Sequence, residues 1–204
     1  MRIRGVETKD LDACYAISLA TGLAGGDASS LYRDGRLMGH IYIAPYALLE
    51  PELTFVVEDH EGVAGFVTGT PDTTAWEARL EQVWWPALRK NYADPAYLSP
   101  EARTPDQRRM YMIHHPARTP SAVVSIYPGH LHMNLLPRLQ RRGIGSKLFA
   151  VWHAAAAAKG ASALHVGVNR ENRNAIPFWQ SLGFTELTLA GVPEGRTVWM
   201  GRKA

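Results

Sequence analysis

Gln140-Arg141-Arg142-Gly143-Ile144-Gly145 is the stretch that decides how the rest of the chain is read. Its glycines let backbone approach a ligand closely, and the helix expected from Gly145 to Lys159 presents unpaired N–H groups and the positive end of its dipole at the same point. That chemistry is anion capture, with phosphate as the natural guest. Spacing excludes two other phosphate loops. No Gly-Lys-Ser/Thr ending follows, as a nucleoside-triphosphate loop requires, and no Gly-x-Gly-x-x-Gly with a later acidic residue, as a dinucleotide site requires. A glycine turn before a helix is by itself more often a tight connection, so the weight comes from its flanks.

Upstream, His130 to Leu136 has strand character. Downstream, Leu148, Val151, Trp152 and Ala155 mark one helical face, Gly160 sits at the C-cap position, and Ala163 to Val168 forms a second strand. Strand, helix and strand in this order predict a parallel pair with a right-handed crossover. Asn174 is placed to cap a further short helix whose first turn accepts Pro177, with Gly183 stopping it. Phe184 to Leu189 and Thr197 to Met200 read as closing strands.

Toward the N-terminus, a short strand covers Arg2 to Arg4, and Thr8 is placed to cap a helix with Leu11, Cys14 and Ile17 on one face. The glycine-rich stretch Ala20 to Arg36 is expected to be a loop, either lying over a site or serving as a surface connection. Thr54 to Glu58 and Val63 to Thr70 form a hairpin about the turn Asp59 to Gly62. From Thr74 onward Trp76, Leu80, Val83, Trp84, Ala87 and Leu88 recur at helical spacing, interrupted at Pro86. Ala93 to Pro120, with prolines at 95, 100, 105, 116 and 120, reads as irregular.

A second segment, Asn172 to Phe184, gives the glycine loop its meaning. Gln140, Gly143 and Gly145, together with Asn172, Ala175, Phe178, Trp179, Gly183 and Phe184, resemble the two signatures of the GNAT acetyltransferase superfamily. The resemblance covers most of the chain outside about residues 71–129. It implies an α/β GNAT fold: a mixed central sheet splayed between two parallel strands, with helices on both faces. It further implies one domain over residues 1–204, with an inserted helical and irregular segment at about 71–129. Acetyl-CoA would lie in the splay as cosubstrate. Backbone groups of Leu135 and Leu136 would hold its pantetheine and acetyl carbonyl. The N–H groups of Arg141, Arg142, Gly143, Ile144, Gly145 and Ser146, beside Gln140, would hold its pyrophosphate. Asn172 and Phe178 would flank the arm. The insert is similar to the acetyltransferase-like domain that ends eukaryotic O-GlcNAcases and to its free-standing bacterial relatives, through Val56-Val57-Glu58-Asp59, Gly69-Thr70, the Trp-Pro helix and Asn91-Tyr92. Those eukaryotic domains lack cofactor-loop residues that this chain keeps at Gly143 and Gly145.

The function this implies is transfer of acetyl from acetyl-CoA to a primary amine by direct attack. Many members carry a tyrosine as general acid where this chain has Trp179, whose indole N–H is no ordinary proton shuttle. A module that binds acetyl-CoA without turnover is therefore the alternative. The candidate bases are His132 and His130 on the strand and Asp72 after the hairpin. His114 and His115 are expected to shape the acceptor pocket.

With 204 residues, 46% of them hydrophobic and 20% charged, the chain is built for one sizeable core. A net charge of +3 is too small to argue for nucleic acid as a partner. The single cysteine, Cys14, is expected as a buried thiol in a reducing compartment. No apolar leader and no run of eighteen apolar residues is present, so the expected location is cytoplasmic with no membrane partner. One cysteine and scattered histidines give no metal-ligand spacing. The acceptor is expected to be a small-molecule or peptide amine, with its identity and the oligomeric state left open.

Overall fold

The computed structural model describes residues 1–188 and 195–203. In chain order it forms β1 (Arg2–Gly5), α1 (Leu11–Ala20), α2 (Leu37–Tyr42), α3 (Ala44–Leu49), β2 (Thr54–Asp59) and β3 (Gly62–Thr70). There follow α4 (Thr73–Val83), α5 (Trp85–Arg89), α6 (Pro105–His114), α7 (Ser121–Val124), β4 (Gly129–Leu135) and α8 (Ile144–Ala158). The chain closes with β5 (Ala163–Asn169), α9 (Ala175–Ser181), β6 (Thr185–Glu186) and β7 (Thr197–Lys203).

The seven strands make one mixed sheet in the order β1-β2-β3-β4-β5-β7-β6. All neighbours are antiparallel except β4 and β5. That parallel pair stays together only at Gly129–Leu164 and His130–His165, and beyond it the strands part. Helices cover both faces. On one, Leu148, Trp152 and Ala156 of α8 pack on Leu53, Val67 and Leu131, and the Trp152 indole donates to the Leu53 carbonyl at 2.9 Å. On the other, Cys14 and Ile17 of α1 meet Ile43, Ala47, Val56 and Phe66. Burial pushes the Cys14 thiol up to about 12, so it stays protonated and serves as a small apolar side chain.

Several local expectations need correction. Thr8 does not cap α1. It begins a 3-10 turn at Thr8–Asp10, in which the Asp10 carboxylate accepts the Glu7 N–H at 2.8 Å and pairs with Arg4. The segment 93–120 is not irregular throughout, because α6 occupies its middle. Thr104 caps that helix by accepting the Gln107 N–H, Gln107 answers by accepting the Thr104 N–H, and Pro105 falls in the first turn, where its missing N–H costs nothing. Asn174 precedes α9 but makes no side-chain cap. The strand read as Phe184 to Leu189 is short, Thr185–Glu186, and Leu189 lies outside the described residues. Pro86 acts as expected: α4 ends at Val83 and α5 restarts at Trp85 with the proline in its first turn. Helices α2 to α6 gather Leu37, Tyr46, Trp76, Leu80, Trp85, Leu88 and Ile113 into a further core. No helix among the described residues is long and apolar enough to cross a membrane.

Candidate active site in the splay of the sheet

Sheet geometry fixes which backbone groups are free. Leu136 N–H donates to the Ala64 carbonyl at 2.9 Å, which makes alternate residues of β4 the ones bonded to β3. Met133 and Leu135 therefore turn their N–H and C=O groups the other way, into the space where β5 has departed. The Leu136 N–H, by contrast, is spent on Ala64, while its carbonyl accepts from Leu139 and keeps a second lone pair. Leu135 does face the gap, with its carbonyl taken by Gln140 Nε2 at 2.8 Å.

A cavity of about 540 Å³ fills that gap, lined by Met133, Asn134 and Leu135, by Gln140, Arg141 and Gly143 to Ser146, and by Asn172 and Phe178. The loop turns into α8 through left-handed conformations at Arg141 (φ 57°) and Gly143 (φ 70°). A Cβ at Gly143 would touch nothing within 4 Å, so that glycine answers a backbone need. Gly145 answers a spatial one, since a Cβ there would lie 2.8 Å from Phe178 Cε2. The N–H groups of Ile144, Gly145 and Ser146 find no acceptor among the described residues, as the first turn of a helix dictates. Arg142 is exposed and lies outside the cavity lining; its guanidinium donates to the Arg138 carbonyl at 3.3 Å. The glycine-rich loop reaches the same cavity through Thr21 and Gly25, the latter against the Asn172 side chain. Thr21 also accepts from Asn134 Nδ2 at 2.6 Å and donates to Ile17.

A second cavity, of about 500 Å³, meets β4 one step further down, at His130, Leu131 and His132. Its walls are largely aromatic: Tyr42, Tyr46, Trp76, Trp85 and Trp199. His114 lines it and pairs its Nε2 with the Tyr92 carbonyl at 2.8 Å, whereas His115 lies outside and pairs with Asp94.

The three base candidates part company here. Thr73 Oγ1 donates to the Pro128 carbonyl at 2.6 Å, so it accepts from His130 Nδ1 at 2.7 Å, and His130 Nε2 then accepts the Tyr46 hydroxyl at 2.6 Å. His130 is thus buried and neutral with both nitrogens spent, and it holds structure. Asp72 is the N-cap of α4, exposed, accepting the Ala75 N–H at 3.0 Å and lining neither cavity. Of the three, only His132 presents its ring to the second cavity with no hydrogen bond among the described residues. Its edge-on neighbours are Tyr42 and Tyr46, and desolvation followed by the nearby His165 lowers its pKa to about 4. Trp179 is in the core against Phe149 and Phe184, 7% exposed, and lines neither cavity. His165, which sequence reasoning missed, donates Nδ1–H to the Tyr127 carbonyl at 2.6 Å and lines the second cavity.

Desolvation holds His130, His132 and His165 below the ordinary value of 6.5. As pH falls through 6.5 the unfolded chain takes up protons that the folded chain refuses, so stability falls in step. The thermal midpoint is expected to drop from about pH 6.5 toward about pH 4. A midpoint constant over that window would contradict these environments. Among the described residues no group of three or more His, Cys, Asp or Glu side chains is placed to share a metal ion.

The acetyltransferase (GNAT) domain family matches residues 112–186 of this chain, the part that holds β4, the glycine loop, β5 and α9. The rat protein O-GlcNAcase is 20% identical over 169 residues, 81% of this chain but 18% of the rat protein, so the chain spans under a fifth of that relative's length. Among solved structures, the crystal structure of SsHAT superimposes with a TM-score of 0.89 at 33% identity, covering 99% of this chain and 97% of the other. A PaiA N-acetyltransferase from Thermoplasma acidophilum, in complex with coenzyme A, shares the fold at a TM-score of 0.54 and 13% identity, covering 100% of this chain and 98% of that one. The chain belongs to the GNAT acetyltransferase family.

Proposed function

We propose that the protein transfers acetyl from acetyl-CoA to the primary amine of an acceptor by direct attack, with no covalent enzyme intermediate. The observation that carries this reading is the cavity in the β4/β5 splay, where unpaired N–H groups of the glycine loop face gap-directed backbone of Met133 and Leu135. These features fit a long ligand with a phosphate group at one end and amide groups along its arm. Acetyl-CoA supplies the activated acetyl thioester.

Ile144, Gly145 and Ser146 would take the pyrophosphate, and Asn172 and Phe178 would flank the arm. The acceptor would enter through the second cavity, which adjoins the first along β4. His132, neutral at working pH, would accept the amine proton. The buried state of Trp179, which lines neither cavity, favours a second reading, a module that binds acetyl-CoA without turnover.

Titration calorimetry with acetyl-CoA, followed by measurement of free thiol across an amine panel, separates the two. Binding with thiol release from at least one amine is expected. Binding without release from any amine would select the second reading, and no binding would overturn both.

A further inference from the structure

Arg109, on α6, carries a charge that the protein leaves without a counter-ion. Its Nε donates to the Tyr32 hydroxyl at 2.9 Å, and its Nη1 donates to the Tyr42 hydroxyl at 3.0 Å and to Met112 Sδ at 3.1 Å. All three acceptors are neutral. No carboxylate lies within salt-bridge distance among the described residues. Elsewhere Arg4 is paired with Asp10 and Glu58, Arg89 with Glu81 and Arg138 with Asp59, while Arg103 and Arg202, which have no carboxylate partner among the described residues, donate to the Leu98 and Leu182 carbonyls. A partly desolvated guanidinium held only by phenols and a thioether is costly, and a ligand that brings an anion removes the cost.

Its position is as telling as its charge. Tyr42 and Met112 line the second cavity, and the Tyr42 ring meets His132 edge-on at 5.5 Å. Tyr32 belongs to the glycine-rich loop that reaches the first cavity through Thr21 and Gly25. The same loop is fastened to α6 by Asp106, whose carboxylate accepts the N–H groups of Arg33 and Asp34 at 3.2 and 2.8 Å. Arg109 itself lines neither cavity; it stands behind Tyr42 and Met112, where the loop over one cavity joins the wall of the other. Of its five N–H donors, one on Nε and two on Nη1 are spent, leaving the two on Nη2. Nη2 has no protein partner yet is not a buried unsatisfied atom, so it reaches solvent. The acidic groups lining the cavity sit on α4 and are already engaged, Glu81 with Arg89 and Glu77 with the N–H and hydroxyl of Thr119.

The geometry points to Arg109 as the anchor for a carboxylate on the acceptor, so that the substrate is an amine that also carries an acid group, of the amino-acid type. This rests on the acetyl-transfer reading and specifies its acceptor. The carboxylate meets the two Nη2 N–H groups while the amine turns toward His132, and aromatic walls at Tyr46, Trp76 and Trp85 receive an apolar side chain. A charge-assisted pair in a partly desolvated site supports a preference of about 10- to 100-fold over the same amine without its acid group.

The test uses the full chain and Arg109→Met, each loaded with acetyl-CoA. Thiol release is compared within two pairs that differ only in the carboxylate: L-phenylalanine against 2-phenylethylamine, and L-norleucine against pentylamine. The wild type is expected to prefer the acid of each pair in kcat/KM, and the preference is expected to collapse in Arg109→Met. Equal or better use of the plain amines by the wild type, or a preference that survives the substitution, overturns the proposal. Calorimetry with 3-phenylpropanoate, which has the acid but no amine, gives a readout independent of turnover. Binding to the CoA-loaded wild type that weakens about tenfold or more in the variant supports the anchor even where no amine is acetylated. No binding of this probe, or equal binding to both proteins, counts against it. The ligand-free variant should keep or raise its thermal midpoint, since an unpaired cation is removed. A fall of several degrees in both Arg109→Met and Arg109→Gln would mark Arg109 as a structural tie between Tyr32 and Tyr42 and overturn the proposal.

Discussion

Gly145→Leu is expected to weaken acetyl-CoA binding by about 100-fold or more, which corresponds to roughly 3 kcal/mol. A Cβ at this position would lie 2.8 and 2.9 Å from two carbons of the Phe178 ring, so the larger side chain cannot be added without displacing that ring. Phe178 lines the cavity beside Gly145, and whichever of the two side chains gives way enters the space the ligand arm needs. Overpacking of this kind also costs about 1–3 kcal/mol of stability, so the variant should melt lower while remaining folded. Gly143→Ala provides the contrast. No atom would crowd its Cβ, and the penalty is that of holding a left-handed conformation at φ 70°, about 1–2 kcal/mol. Calorimetric titration of the folded variants checks both. Near-native affinity in Gly145→Leu would mean that the ligand does not use the space beside Gly145 and Phe178.

His132→Gln is expected to lower kcat by about 100- to 10,000-fold, the usual range for removing a positioned proton acceptor, with the affinity for acetyl-CoA unchanged. The same ring position in His130 is tied at both nitrogens to Tyr46 and Thr73, so His130→Gln should act mainly on stability. The two variants thus separate a chemical role from a structural one on the same strand. The pH profile adds a second check. With a pKa of about 4, His132 is neutral throughout the neutral range, so a rise of rate between about pH 6 and 8 belongs to the acceptor amine losing its own proton. His132 itself should impose a loss of rate only on acidification toward its own pKa. A rate for His132→Gln within threefold of wild type would show that the amine needs no acceptor from this strand.

The phosphate-binding half of the site was legible because it is local. Gly143 and Gly145 act through backbone conformation and close approach, both written in a few consecutive residues, and α8 follows at once with its unpaired N–H groups. The acceptor half was not. Tyr42, Tyr46, Arg109 and His165 come from α2, α3, α6 and β5, and only tertiary packing brings them to the same cavity region. The helices α2 and α3 have six residues each and Pro45 in the first turn of the second, too short for a hydrophobic period to declare itself. The prolines of 93–120 give the segment an irregular composition, yet Thr104-Pro105 with Gln107 is a complete helix start that marks α6 in the sequence itself. Which backbone groups of β4 face the gap, and hence that the Leu136 N–H does not, depends on its register with β3, which composition does not reveal.

Amide hydrogen exchange with and without saturating acetyl-CoA tests the central claim most directly, because it reads the backbone groups on which that claim rests. Slowed exchange is predicted at Met133, Leu135, Ile144, Gly145 and Ser146, whose N–H groups have no partner among the described residues, with Leu136 unchanged because its N–H already serves Ala64. Saturation by acetyl-CoA that leaves these five amides exchanging as freely as before would contradict the placement of the cosubstrate in the splay of the sheet.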